Sequence, residues 1–240
     1  SSDLLFELSL AIFSRDSDFA GTANHRLLLG NLFADYESRG QRGESLRIHR
    51  AMIPATGLNL ARTSKLPADT PLFDLTDEQL KQVGNMAFIG VLYSAEIRLR
   101  FESGNDADAL ALAEKIDRRF SGTTRPCEVT IYAPVLESLV RLHLCAGRMA
   151  EAERTLMRLI ALKEVPHSEA YDEVLGARVD LDLLRCREGA DPAPLLADAR
   201  GAVEEMRSHR WIERRLIGTG QIARMHAFAG DFAEGKRLID

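Results

Sequence analysis

The feature that most constrains the fold of this chain is a set of four evenly spaced glycines. They are Gly104, Gly147, Gly189 and Gly230, at intervals of 43, 42 and 41 residues. Between them apolar residues recur every three to four positions, which is the period of an amphipathic helix, and no segment alternates convincingly in the manner of a strand. A nearly constant period of this length is typical of a solenoid, in which each repeat packs against its neighbours.

A small residue follows three of the glycines at a fixed distance of five residues: Ala109, Ala152 and Gly235. The pattern is weaker after Gly189, where Pro192 and Pro194 intervene. Glycine just past a helix end adopts a positive φ without strain. A small residue in the following helix lets two antiparallel helices cross closely. Each repeat is therefore predicted to be a helix, a glycine turn and a second helix.

Three predicted helix starts carry capping signals. Thr76 and Gln79 have the spacing of a capping box. Asp191 precedes a proline at the first helical position, and Asp231 stands where an N-cap is expected. These local signals agree with the helix boundaries that the glycines predict.

The repeats predict one all-α domain over residues 1–240, a right-handed superhelical solenoid of helix pairs. An earlier copy is expected to end at Gly40. This glycine lies 64 residues before Gly104, so we expect an insertion near 63–76. Because the sequence starts without methionine and stops within a predicted helix, we expect it to be a fragment of a longer chain.

Composition and cysteine content favour a cytoplasmic protein over several other classes. The chain has 45% hydrophobic and 28% charged residues and a net charge of −5, which gives no basic field for direct contact with nucleic acid. Its longest uncharged stretch, 82–95, is 14 residues, whereas a membrane span needs about 20. Three cysteines without a CxxC motif or a secretory leader indicate reduced thiols, and Cys145 is expected to be a small apolar filler.

The sequence predicts no enzyme, cofactor or metal site. It lacks the HExxH, GxSxG and P-loop motifs, and the glycines of 218–220 follow no predicted strand. Asp180 and Asp182 are two residues apart, so they point to different faces of a helix. His143 and His226 share one repeat position, which favours packing between helices over metal binding.

An arginine stands six residues before the turn glycine in three of the four copies. These are Arg98, Arg141 and Arg224, and the remaining copy has Leu183. In a stack of helix pairs, equivalent positions of the first helices line up along one surface, where guanidinium groups can hold carboxylates or phosphates. The alternative is that they are solvated or paired within their own helices, since Arg98 and Arg141 each have a glutamate four residues away.

Trp211 is the one tryptophan of the sequence and a second candidate for the binding surface, together with Arg214. Trp211 can anchor an interface or stack on a ligand, or it can pack between repeats. The surrounding arginines are Arg207, Arg210, Arg214 and Arg215.

The repeat resembles the tetratricopeptide repeat, which has apolar residues early in its first helix, glycine before its second and alanine five residues later. The matching positions hold Leu136, Leu139, His143, Gly147, Ala152 and Leu156, and again Ile222, His226, Gly230, Gly235 and Ile239. The period exceeds the standard 34 residues. Val140 and Ala223 stand where glycine is usual.

Segments 136–160 and 222–239 are also similar to the helical sensor region of bacterial MalT-type proteins, the large ATP-dependent LuxR-type transcription regulators. This resemblance implies a domain that binds a small-molecule inducer or a regulatory protein or peptide and that self-associates. In that family it lies between an NTPase and a DNA-binding helix-turn-helix, neither of which is in this sequence. The alternative is a free-standing tetratricopeptide adaptor that holds a peptide or helix in its concave groove.

Overall fold

A computed structural model describes residues 11, 23–39, 41–64, 66–67, 69–83, 86–165, 171–208 and 212–239. All regular secondary structure in these ranges is helical. The α-helices are α1 Ala23–Ser38, α2 Arg42–Thr63, α3 Asp77–Gln82, α4 Met86–Glu102, α5 Asp106–Phe120, α6 Pro126–Cys145, α7 Met149–Ala161, α8 Tyr171–Arg187, α9 Pro192–Ser208, α10 Ile212–Phe228 and α11 Phe232–Ile239. Two short 3-10 helices are Leu72–Asp74 and Leu162–Glu164.

The chain divides into two compact units, Ser1–Leu99 and Arg100–Asp240, here called unit 1 and unit 2. In unit 1, α1 packs on α2, and fully buried side chains of α1, α2 and α4 include Leu29, Ile48 and Leu92. The expectation of one repeat domain over the whole chain stays a prediction.

Unit 2 is a stack of helix pairs, which confirms the predicted class of fold. Helices α5 to α11 pack in chain order, each on the next, so that α6–α7, α8–α9 and α10–α11 are successive pairs. The first helices of these pairs also contact one another, α6 with α8 and α8 with α10. Each first helix therefore packs against its own partner and against the neighbouring pair.

The predicted turn glycines share one conformation, with φ of 78°, 70°, 90° and 81° at Gly104, Gly147, Gly189 and Gly230. After each glycine, the next amide donates to the carbonyl five residues earlier, at 2.9 to 3.0 Å. This is the main bond of a Schellman motif, which satisfies the carbonyls at the end of a helix. The four glycines thus lie at corresponding bends, as the spacing predicts. Gly122, with φ 78°, makes a further bend between α5 and α6.

Structure on both sides of Gly40 supports an earlier copy of the repeat. Gly40 itself lies outside the described residues. The amide of Gln41 donates to the Tyr36 carbonyl at 2.9 Å. An equivalent bond, from the residue after the glycine to the carbonyl five residues earlier, is present at each of the four glycine turns. Ser45, five residues after Gly40, is fully buried, as are Ala109 and Ala152 at the same distance from their glycines.

The segment between α2 and α3 contains the residues at which an insertion is expected, and the insertion itself stays a prediction. This segment contains the first 3-10 helix, and its apolar side chains Leu66, Leu72 and Leu75 are buried. The Tyr93 hydroxyl of α4 donates to the Leu72 carbonyl at 2.7 Å. The described apolar residues of this segment are therefore packed into unit 1.

The three predicted caps are confirmed. Thr76 Oγ1 accepts from the Gln79 amide at 3.2 Å, and Gln79 Oε1 accepts from the Thr76 amide at 2.8 Å, which completes the capping box. Asp191 Oδ1 accepts from the Ala193 amide at 3.1 Å at the start of α9. Asp231 Oδ1 accepts from the Glu234 amide at 3.2 Å at the start of α11. Both aspartates satisfy amides that a helix start leaves unpaired.

The C-terminal part of the uncharged stretch 82–95 belongs to α4, and four of its residues lie in the core of unit 1. Ile89, Leu92, Tyr93 and Ala95 are each 3% exposed or less. Within the described ranges, no helix is both long enough and apolar enough to cross a membrane.

Small residues mark the close crossings between helices. A Cβ added to Gly235 of α11 would lie 2.9 Å from the Ala223 carbonyl oxygen of α10. One added to Gly218 would lie 2.8 Å from Cγ2 of Val203, across the boundary between the last two pairs. Real side chains do not tolerate such distances. A larger residue at Gly235 therefore requires the two helix backbones to separate, and one at Gly218 requires the Val203 side chain or its helix to move.

We predict that replacing Gly147 by alanine lowers the unfolding free energy by about 1–2 kcal/mol, because the turn requires a left-handed residue. The matched control is Gly201→Ala in the middle of α9, where an added Cβ meets nothing within 4 Å. Alanine there is expected to stabilise the protein by about 0.5–1 kcal/mol through its helix propensity. Urea unfolding of both variants measures the contrast, and equal effects would show that the turn does not depend on Gly147.

Candidate binding surface

Arg141 and Arg224 occupy equivalent positions near the ends of α6 and α10, and both are exposed. Neither makes a hydrogen bond or ion pair with any residue that the structure describes. Glu137, four residues before Arg141, is therefore not its partner, and the intrahelical pairing considered for Arg141 is wrong. Two guanidinium groups of unit 2 are thus presented to solvent at the same repeat position.

Arg98, the third arginine of the predicted ladder, belongs to unit 1 and is half-buried. Its guanidinium carbon lies 5.2 Å from the centroid of the Phe33 ring on α1, which is a cation–π contact. Leu183 takes the equivalent position on α8 and packs, half-buried, against the core of unit 2. The alignment of all three arginines along one surface stays a prediction.

Trp211 lies outside the described residues. Arg214 is part of α10, but its side chain is outside the described part of the chain. The assignment of both residues to the binding surface stays a prediction.

Of the two histidines at the shared repeat position, His226 of α10 contacts helix α9, whereas packing of His143 between helices stays a prediction. His226 is 7% exposed, with Nε2 2.9 Å from an Arg200 guanidinium nitrogen and Nδ1 3.3 Å from the Asp231 carboxylate. Arginine can only donate, so Nε2 accepts and Nδ1 carries the proton toward Asp231. Burial, followed by the charge of Arg148, lowers the pKa of half-buried His143. Among the described residues, no three histidine, cysteine or acidic side chains are grouped as metal ligands.

A polar network that sequence reasoning missed joins α5, α6 and α7. The Tyr132 hydroxyl donates to Asp117 Oδ1 at 2.5 Å, and the Arg158 guanidinium donates to both carboxylate oxygens of Asp117 and to the Tyr132 oxygen. Burial, followed by the bond to Asp117, raises the pKa of Tyr132 well above its ordinary value. Because the three residues lie on different helices, no spacing within one helix could indicate the network.

Asp180 and Asp182 point to different neighbours, as their spacing predicts. Asp180 accepts a hydrogen bond from the side-chain Nε2 of Gln221 on α10, whereas Asp182 is 5% exposed and faces Asp198 of α9. Its buried Oδ2 has no hydrogen-bond donor among the described residues. Burial, followed by the charge of Asp198, raises the pKa of Asp182 to about 6. Sequence periodicity did not reveal this burial.

A small cleft of about 230 Å³ lies beside the turns at Gly104 and Gly147. Its lining residues are Phe101, Asp106, Ala107, Leu110, Leu142, Cys145, Ala146 and Arg148. Cys145 is exposed as the last residue of α6, so its interpretation as a buried filler is wrong. Sites for drug-sized ligands usually measure about 300–1,000 Å³, so this cleft is small for an inducer.

Comparison with known proteins gives a structural likeness alone. No family model matches the chain, and no curated protein matches it. Two crystal structures from Podosopora anserina, both described as a kinesin light chain with nearly identical TPR-like repeats, are similar to it at 16% sequence identity. The alignment with the first of these structures, which carries one substitution, has a TM-score of 0.46 and covers 88% of this chain and 89% of the other. The second structure has a TM-score of 0.44 and covers 88% and 90%.

We predict that Asp182→Asn raises the unfolding free energy at pH 7 by about 1–3 kcal/mol, because it removes a buried charge that faces Asp198 and whose Oδ2 has no described donor. The ordinary pKa of 3.8 is raised in the folded protein, so folding takes up a proton between about pH 4 and 6. Stability of the unaltered protein therefore falls as pH rises through this window, and the difference from Asp182→Asn vanishes near pH 4. Urea unfolding at several pH values measures it.

The control for this titration is Asp69→Asn, at an exposed turn of unit 1. It is expected to change the unfolding free energy by less than about 0.5 kcal/mol at either pH. A pH-independent effect of Asp182→Asn, or a loss of stability at pH 7, would contradict the assignment of a destabilising buried carboxylate.

Proposed function

We propose that this chain is an interaction domain that binds a segment of another protein through the first helices of its pairs. Arg141 and Arg224 would contact carboxylates of that segment. The observation that carries the proposal is their shared state, exposed and unpaired with any described residue, at one repeat position. Exposed Arg118 of unit 2, by contrast, pairs with Glu114 of its own helix. Arg187, two residues before Gly189, is also exposed without a partner among the described residues, but it stands at a different repeat position.

The order of the helices gives the expected form of the ligand. Helix α8 contacts both α6 and α10, so Leu183 stands between the two arginines in the row of first helices. Neighbouring helix axes are about 8–10 Å apart. The two guanidinium groups would then be about 16–20 Å apart, a span that about six residues of extended chain cover. A segment with two acidic residues flanking an apolar one fits this arrangement.

A protein segment fits this surface better than a small molecule does. The cleft beside the first two turns is small, whereas the contacting first helices offer an elongated surface across three pairs. The proposed role is binding rather than catalysis. Each arginine–carboxylate contact at an exposed site contributes about 0.2–1 kcal/mol, so affinity also requires apolar contacts between the charges.

We expect the full chain to prefer fluorescent peptides with two glutamates about six residues apart around a leucine, over peptides with shorter spacings. Replacing Arg141 and Arg224 together by alanine is expected to weaken binding about tenfold, since two charge-assisted contacts are lost. Fluorescence anisotropy at fixed salt measures the dissociation constants.

The matched control is Arg118→Ala, which removes an exposed arginine that already pairs with Glu114 on α5. Its affinity should equal that of the unaltered chain. If no peptide of the series binds, or if the double substitution leaves the dissociation constants unchanged, the two arginines do not form the binding surface.

We further propose that the interaction domain serves as the sensor region of a bacterial LuxR-type regulator. This finer proposal is supported by the resemblance of segments 136–160 and 222–239. Binding would favour one conformation of the stack and so alter the neighbouring domains. A gene that encodes an N-terminal P-loop and a C-terminal helix-turn-helix would support the regulator, and a short gene without either would support the free-standing adaptor.

A further inference from the structure

The cleft beside the turns at Gly104 and Gly147 has a mainly apolar lining. Its largest apolar side chains are Phe101 of α4, Leu110 of α5 and Leu142 of α6, and all of its lining residues belong to unit 2. A cavity of about 150 Å³ already holds a benzene ring. The cleft, with a volume of about 230 Å³, therefore has room for one aliphatic side chain.

The next groove of the stack uses the equivalent position for an ion pair. Leu110 stands six residues after Gly104, and the residue six after Gly147 is Glu153. The Glu153 carboxylate accepts from Nε of Arg185 on α8 at 3.0 Å, so a polar contact joins α7 to the first helix that follows it. Because α5 has a leucine at this position, the apolar lining belongs to this one groove and is not a general property of the repeat.

Two arginines beside the cleft make no ion pair with any described residue. Arg148 lines the cleft, and its buried Nε has no hydrogen-bond partner in the described part of the chain. Arg141 stands four residues before the lining residue Cys145, so both lie on one face of α6, about 5–6 Å apart. One carboxylate, that of exposed Asp106, also lines the cleft, and it does not pair with Arg148. The surroundings thus favour an acidic segment whose apolar residue enters the cleft.

We propose that the cleft takes an aliphatic side chain of the same partner segment whose carboxylates contact Arg141 and Arg224. This inference rests on the proposed function and adds an apolar anchor to it. Helix α6 contacts both α5, which lines the cleft, and α8, which carries Leu183. The order along the surface is therefore the cleft, Arg141, Leu183 and Arg224.

The geometry of an extended chain gives the place of the anchor in the segment. Residues two apart in an extended segment point to the same side and are about 6.4–6.8 Å apart. This distance is close to the one helical turn that separates Arg141 from Cys145. The aliphatic residue is therefore expected two positions outside the glutamate that contacts Arg141, on the side away from the central leucine.

The test compares leucine with alanine at this outer position in the two-glutamate peptides. One series carries the residue before the first glutamate, and the other carries it after the second. We expect leucine to bind about tenfold more tightly than alanine in at least one series, because the cleft buries its side chain. Fluorescence anisotropy with the full chain measures both dissociation constants.

The variant Leu110→Gln places a polar side chain in the cleft. The leucine advantage should fall to about one, while the alanine peptide binds as it does to the unaltered chain. The matched control is Met157→Gln on α7, at an apolar residue that is 52% exposed and outside the cleft. It should retain the full advantage of leucine over alanine.

A second way to fill the cleft leaves its packing residues unchanged. Cys145 is exposed and lines the cleft, so methyl methanethiosulfonate can attach a methylthio group to its sulfur. Cys127→Ser removes the half-buried thiol, and Cys186 is buried. The leucine advantage should fall after modification and return when dithiothreitol removes the group. Mass spectrometry of the intact chain counts the groups attached.

The outcomes separate the anchor from the arginine surface. Equal affinity of leucine and alanine peptides in both series would overturn the anchor and leave the arginine surface standing. Binding of no peptide would overturn both. A leucine advantage that survives both Leu110→Gln and the modification of Cys145 would overturn the anchor, because the contact would lie elsewhere. Displacement of the peptide by free leucine at micromolar concentration would also overturn it, since the occupant would then be a small molecule.

Discussion

The packing of each helix pair against the next is the constraint on which the structure of unit 2 depends. A pair cannot bury both of its apolar sides alone, because its two helices cover only one side of each other. The cluster that joins Leu175, Ala199 and Met225 shows how three helices from two pairs complete one core. Close approach is essential here, and Gly218 and Gly235 provide it by having no side chain where helices cross.

Two further features fix the geometry within and between pairs. The Schellman bonds at the glycine turns connect the two helices of one pair, and they are the same at all four positions of the period. The network of Asp117, Tyr132 and Arg158 then links α5 to the α6–α7 pair through polar contacts. Because it is partly buried, its hydrogen bonds are stronger than those of an exposed ion pair.

Much of the fold could be predicted from the sequence, since its signals are local. A glycine past a helix end, an aspartate before the first turn and a small residue at a crossing each act within a few residues. The turn at Gly147, the cap at Asp231 and the crossing at Gly235 were identified on those grounds, and the structure has all three.

The candidate site could be predicted less well, because it depends on contacts between helices. The spacing of Arg141 and Glu137 allowed an ion pair, but it could not say which way each side chain turns. Exposure of Cys145 and burial of Asp182 likewise depend on where a helix ends and on which pair lies opposite. The exposure of Leu216 and Ile239 was missed for the same reason, since both look like ordinary core residues in the repeat pattern.

Native-state hydrogen exchange in low denaturant tests the stacking of helix pairs most directly, because it measures the opening free energy of each helix. Helices α10 and α11 have a described neighbouring pair on one side alone. If neighbouring pairs stabilise one another, the amides of α10 and α11 should exchange with a lower opening free energy than those of α6 to α9. Exchange of all these helices at a single free energy, or slowest exchange in α11, would contradict a stack held together by its neighbours.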